Sequence, residues 1–192
     1  MLKNDRWIRE QAAGGMISPF TPCMVREVEA DSGVDEYGVW GGGEPRAVLS
    51  YGLSSFGYDI RLSPKDFRVF RHVPGTIVNP KQFNPRNLEQ VPLLSDEYGD
   101  YFIIPAHSYA LGVAMEYLEV PDNITVICLG KSTYARCGII ANLTPAEAGW
   151  KGHLTLEFSN LAVLLRMLDF KPFFKETTQL ITKKGLILGK LV

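Results

Sequence analysis

Three consecutive stretches hold residue types that could do chemistry together. In GHLTLEFSN, residues 152–160, His153, Thr155, Glu157 and Ser159 alternate with Leu154, Leu156 and Phe158. A period of two belongs to a strand with one apolar and one polar face. Glu157 therefore sits on a polar face that looks either at solvent or at a ligand. GKSTYARCG, residues 130–138, follows the apolar run ITVICL and puts Lys131, Ser132, Thr133 and Arg136 on one turn. If that turn is helical, Ser132 and Arg136 share a face. Two cations, two hydroxyls and the backbone N–H groups at a turn's start suit a polyphosphate. The same residues also fit a solvated surface turn. ANLTPAEAGWKG, residues 141–152, reads as a hairpin connection through Pro145 and Gly149. Such a loop could present N–H and C=O groups to a planar base, and Trp150 at its end is either a stacking surface or core. Antiparallel pairing of CGIIANL with GHLTLEFSN would bring Glu157 back towards the GKSTYAR turn.

The elements that must position these residues are short strands. IRL, FRVFRHV, GTIVNP, DYFIIPAHSYALGVAMEYLEVP, NITVICLG, CGIIANLTP and GHLTLEFSN all have strand composition and are punctuated by Pro, Gly and Asn. That spacing predicts a β-sandwich or barrel rather than alternating β and α units. Near the N-terminus, Asn4 or Asp5 caps a short helix that runs to about Gln11–Ala13 and ends at Gly14-Gly15. DSGVDEYGVWGGGEP, residues 31–45, is turn-rich and reads as a surface excursion with its tip at Gly41–Gly43.

Several chemistries are excluded. GKS ends like a phosphate-binding P-loop, but the glycine required five residues before Gly130 is Thr125. A zinc deaminase needs His-x-Glu and Pro-Cys-x-x-Cys. Here Cys128 and Cys137 are too far apart, and His72, His107 and His153 are scattered, so no metal-ligand set is assigned. The 192 residues are enough for one domain with a real core. A net charge of −1 gives no case for a nucleic-acid groove or an anionic membrane. The charged start MLKNDRWIREQ lacks a leader's apolar segment, and no apolar run reaches membrane-spanning length. Three cysteines without a close pair fit a reducing cytoplasm.

Together, GKSTYARCGIIANLTPAEAGWKGHLTLEFSN and SYGLSSFGYDIRLSPKDF closely resemble the core of dCTP deaminases, relatives of the trimeric dUTPases. The N-terminal NDRWIREQAAGGMISPF and the middle segment YFIIPAHSYALGVAMEYLEVPDNITVICLGKST follow the same layout. The resemblance covers residues 1–160 apart from the 31–45 excursion. It implies a distorted β-barrel with few helices, a homotrimer with active sites between subunits, and metal-free hydrolytic deamination of dCTP to dUTP and ammonia. Glu157 matches the catalytic glutamate, general base and proton shuttle. Lys131, Ser132, Thr133, Tyr134, Ala135 and Arg136 match the triphosphate segment. Thr155 and Leu156 match backbone contacts to the nucleotide, and Thr144-Pro145 the loop that reads the pyrimidine. Magnesium would arrive on the triphosphate and neutralise its charge rather than activate water.

After Asn160 the resemblance stops. LAVLLRMLDFKPFFKETTQLITKKGLILGKLV lacks the family's closing turn, nucleotide-contacting strand and tail, and no role is carried onto Gln179, Lys183 or Lys184. LAVLLRMLDF has helical composition foreign to that part of the fold, as a frame shift or a divergent C-terminus would produce. Two further functions stay open on these grounds: a bifunctional enzyme that also cleaves dUTP to dUMP and pyrophosphate, and an impaired paralogue that binds nucleotide without turnover.

Overall fold

The computed structural model of the chain describes residues 2–28, 46–71, 73–75, 77–96, 99–161, 178–182 and 187–191. The excursion at 31–45, the helix expected over LAVLLRMLDF beyond Leu161, and His72, Lys183 and Lys184 lie outside those residues. The first element is helix α1 (Asp5–Ala13). Asn4 stays extended, and its side chain accepts a hydrogen bond from the Trp7 N–H at 3.1 Å, the cap its residue type predicts. The helix stops where the Gly14 and Gly15 N–H groups reach back to the Gln11 and Ala12 carbonyls.

Strands dominate the rest: β1 (Ile17–Ser18), β2 (Met24–Val28), β3 (Arg46–Ser54), β4 (Gly57–Phe70), β5 (Leu88–Gln90), β6 (Leu94–Asp96), β7 (Gly99–Pro105), β8 (Tyr109–Glu119), β9 (Ile139–Asn142), β10 (Lys151–Asn160), β11 (Thr178–Thr182) and β12 (Ile187–Leu191). A second, five-residue helix, α2 (Ser132–Arg136), precedes β9. One curled sheet runs β2-β3-β4-β8-β10-β9, with β1 on β8 and both β5 and β12 on β4. A small second sheet runs β11-β7-β6. Every pairing is antiparallel. This is the mainly-β, barrel-like class that the punctuated short strands predict.

The C-terminal stretch belongs to this framework. Thr178–Thr182 pairs with Thr182 opposite Tyr101, and Ile187–Leu191 pairs with Leu191 opposite Tyr58. Residues that could not be placed from the sequence thus add a strand to each sheet.

Two strand expectations are corrected. GTIVNP forms no strand in its described residues; two 3-10 turns, Pro80–Gln82 and Pro85–Asn87, follow it. Asn79 and Asn84 accept from the N–H groups of Lys81 and Arg86, and a proline fixes φ at the first position of each turn. NITVICLG keeps a strand's alternation, with Val126 and Cys128 buried and Ile127 and Leu129 exposed. Among the described residues its only bridge is Val126 to Ala146, so it is extended chain without a ladder.

The core lies against β4, β8 and β10. Tyr58, Ile60, Leu62, Phe67, Leu118, Leu156 and Phe158 are fully enclosed. The Phe67 ring stacks on Phe102 with centroids 4.5 Å apart, and Gly112 lies beneath it because a Cβ there would come within 2.5 Å of Leu62 Cδ1. Glu116 is also enclosed, and its carboxylate accepts from the Arg61 backbone N–H and Nε at 2.8 and 2.7 Å. Burial raises its pKa, and the Arg61 donors and charge act against that rise.

None of Cys23, Cys128 and Cys137 is in a disulfide. Burial pushes the Cys128 thiol up to about 11, while Cys23 and Cys137 are exposed. A thiol-reactive dye is therefore expected to label Cys23 and Cys137 in the native protein and Cys128 only on unfolding. Peptide mapping after a timed quench checks the order.

Candidate active site

Glu157 lies on β10 between β8 and β9, opposite Leu111 on one side and Asn142 on the other. It is half-buried, and Asn142 Nδ2 donates to its Oε2 at 2.5 Å. Its face of the sheet is not an open polar surface. Register places Tyr109, Leu111 and Val113 of β8 beside Ser159, Glu157 and Thr155, and all three β8 residues are half-buried. A carboxylate set among apolar neighbours at a partly open face is suited to a ligand with an apolar body and a polar edge.

That placement depends on an irregularity in the β8–β10 ladder. His153 pairs with Tyr117 but Thr155 pairs with Val113, so β8 carries extra residues here. The His153 ring closes the gap, with Nδ1 3.1 Å from the Ala114 carbonyl. Because a carbonyl only accepts, Nδ1 carries the proton. His153 thus helps to hold the ladder at its irregularity.

The turn before β9 is helix α2, with Lys131 at its N-cap position. Ser132, Thr133, Ala135 and Arg136 are exposed, whereas Tyr134 is buried and anchors the turn to the core. The N–H groups of Ser132 and Thr133 have no hydrogen-bond partner among the described residues, and Arg136 has no ion pair there. These are open donors on one turn. β9 then runs antiparallel to β10 with Ile139 opposite Asn160, so the Asn160 end of β10 meets the foot of α2, and Glu157 lies opposite Asn142 at the other end of β9.

Lys131 differs from its neighbours. Its ammonium lies 2.8 Å from Asp59 Oδ2, 2.6 Å from Ser50 Oγ and 2.9 Å from the Ser50 carbonyl. An ammonium has three N–H donors, and three acceptors engage them. Asp59 is buried on β4 and Ser50 half-buried on β3, so this contact ties α2 to two strands of the main sheet. The preceding Gly130 is required by close approach: a Cβ there would stand 2.8 Å from the Ala141 carbonyl oxygen on β9. Gly130→Ala must move backbone, and thermal unfolding should show a loss of about 1–3 kcal/mol.

Thr144 and Pro145 are exposed in the β9–β10 connection. Trp150 at its end is half-buried against the core and lies over Gly152, so it packs rather than offering a free stacking face. Thr155 is exposed; the Leu156 side chain is fully buried and leaves only its backbone for any ligand. Among the described residues β9 pairs with β10 only from Glu157 to Asn160, so the Thr155–Leu156 edge has no strand partner on that side. The structure therefore groups α2, β9 and β10 as one unit, with Lys131 facing inward to Asp59. No cluster of three or more His, Cys, Asp or Glu forms a metal site among the described residues.

Sequence reasoning missed Ser50, Asp59 and Asn142. A charged residue between Tyr58 and Ile60 in a strand is a signal for a buried partner, but it does not say which one. Asn142 becomes visible once the β9–β10 register is known.

The same fold occurs in the crystal structure of 2'-deoxycytidine 5'-triphosphate deaminase from Agrobacterium tumefaciens, with a TM-score of 0.57 at 21% identity. That likeness takes in 98% of this chain but 46% of the solved one, so the chain spans less than half of that protein's length. At this identity it bears on fold alone. Residues 44–167 match the family model described as dCTP deaminase-like, which runs past Asn160, the limit set from the sequence. A protein named dCTP deaminase from Acidithiobacillus ferrooxidans (strain ATCC 53993 / BNL-5-31) is 48% identical over 164 residues, 85% of this chain and 76% of that relative. The protein of that name from Bordetella pertussis is 46% identical over 163 residues, 85% of this chain and 75% of the relative. The one from Dechloromonas aromatica is 44% identical over 164 residues, with 85% and 76% covered. The chain belongs to the dCTP deaminase-like family.

Proposed function

We propose that the chain hydrolyses dCTP to dUTP and ammonia. The observation that carries this reading is Glu157, half-buried beside apolar side chains on β10, the strand that β9 links to a turn with open phosphate donors, in a chain of this family. Glu157 takes a proton from water as its oxygen adds to C4 of the pyrimidine. It passes that proton to the departing nitrogen, the C4–N bond breaks and ammonia leaves, and the water's second proton moves from the oxygen to N3, so that a C4 carbonyl remains. Ser132, Thr133 and Arg136 hold the triphosphate, with Tyr134 and Ala135 fixing the turn. Lys131 anchors the same turn, and reaches phosphate only by exchanging one of its three bonds. Thr144 and Pro145 frame the pyrimidine, and the backbone at Thr155 and Leu156 contacts the nucleotide. Magnesium enters with the substrate's triphosphate and screens its charge.

A homotrimer in the cytoplasm completes the proposal, with all 192 residues acting as one domain. Exposed Ile127, Leu129 and Ile140 supply apolar surface near α2 and β9 for a subunit contact. Among the described residues no helix is long and apolar enough to cross a membrane, a statement that does not extend to β-barrels. The strands β11 and β12 favour a chain that folds through its C-terminal stretch over an impaired paralogue. The test is chromatography of nucleotides after incubation with dCTP and magnesium. dUTP matched by ammonia supports the proposal. dUMP with pyrophosphate assigns the bifunctional activity instead, and unchanged dCTP from folded protein contradicts deamination.

A further inference from the structure

We propose that Asn142 is the positioning residue for Glu157, an inference that rests on Glu157 being the proton carrier. Antiparallel register puts Asn142 directly opposite Glu157, and its Nδ2 donates to Oε2. A carboxylate only accepts, so the amide must present its nitrogen rather than its oxygen. Among the described residues Asn142 is the only hydrogen-bond partner of the Glu157 carboxylate. The bond fixes the carboxylate's orientation and occupies Oε2, which leaves Oε1 for water.

The donor's chemistry matters as much as its position. An amide N–H donates to the carboxylate but does not exchange a proton with it, so the proton from water stays on Glu157 for delivery to the leaving nitrogen. The other titratable or charged groups on this face stand further off. Tyr109 is on β8 opposite Ser159, His153 is lower on β10, and the Asp66–Arg68 pair is on β4, beyond β8. β9 carries no titratable group, while Arg136 lies at the end of α2. Asn142 is exposed, so its replacement removes a contact without opening the core.

The experiment is kcat and KM for dCTP in wild type, Asn142→Ala, Asn142→Asp and Glu157→Gln, with thermal unfolding of each. Asn142→Ala is expected to lower kcat about tenfold, since the bond lost is to a charged group, with little change in KM. Asn142→Asp keeps the side chain's size but offers no N–H to Oε2, and is expected to lower kcat at least as far. A wild-type kcat in Asn142→Ala, or a rise in KM alone, overturns the inference. If Glu157→Gln still turns over at the wild-type rate, the underlying reading fails instead. Loss of activity in Glu157→Gln beside an unaltered Asn142→Ala overturns only the role of Asn142.

Discussion

Glu157→Gln is expected to abolish ammonia release from dCTP while dCTP binding stays close to wild type. The amide has the carboxylate's shape and still meets Asn142 with an acceptor oxygen, so the β9–β10 pairing and the neighbouring apolar surface are preserved. What it loses is the capacity to take a proton from water. General acid–base catalysis contributes about 10²–10⁴-fold, and here one group serves both proton transfers, so the loss should reach the upper end of that range. Calorimetric titration with dCTP, set beside an ammonia assay on the same preparation, separates binding from turnover. Weak binding with residual turnover would mean that Glu157 holds the nucleotide rather than carrying the proton.

The second large effect lies in the anchor beneath the triphosphate turn. Lys131→Met leaves the buried Asp59 carboxylate facing Ser50 without its cation. Breaking one side of a largely buried ion pair costs about 3–5 kcal/mol, and here side-chain exposures of 18% for Lys131 and 9% for Asp59 place the pair in that class. For a chain of this size that corresponds to roughly 6–20 °C in Tm. Replacing both partners with apolar residues of similar volume should cost less than either single change, because no charge is stranded. Thermal unfolding of Lys131→Met, Asp59→Leu and the double variant checks this. Additive losses would show that the two groups do not act as a pair.

Reading the sequence succeeds where the interactions are local. The cap of α1 was legible because Asn4, the helical run and Gly14 are neighbours whose interactions are local. The polar face of β10 was legible from its alternation, and the hairpin with β9 from the turn residues between them. GTIVNP misled because β-branched residues favour a strand, while the Asn-Pro pair that ends it and the one that follows impose turns. Lys131 was legible only in part. Its residue type suits phosphate, and nothing local reveals that Asp59 and Ser50, 72 and 81 residues earlier in the chain, converge on its ammonium. Asn142 escaped notice because Asn at a strand end ordinarily signals a turn. Its importance depends on register, which side-chain period alone does not set.

The most direct test of the account is to run the reaction in water enriched in heavy oxygen and locate the label in the product. Hydrolytic deamination through Glu157 predicts dUTP with one labelled oxygen at C4, unlabelled phosphates and one ammonia per nucleotide. Label on a phosphate, released with dUMP or pyrophosphate and without ammonia, would contradict the proposal that this site directs water to the pyrimidine ring.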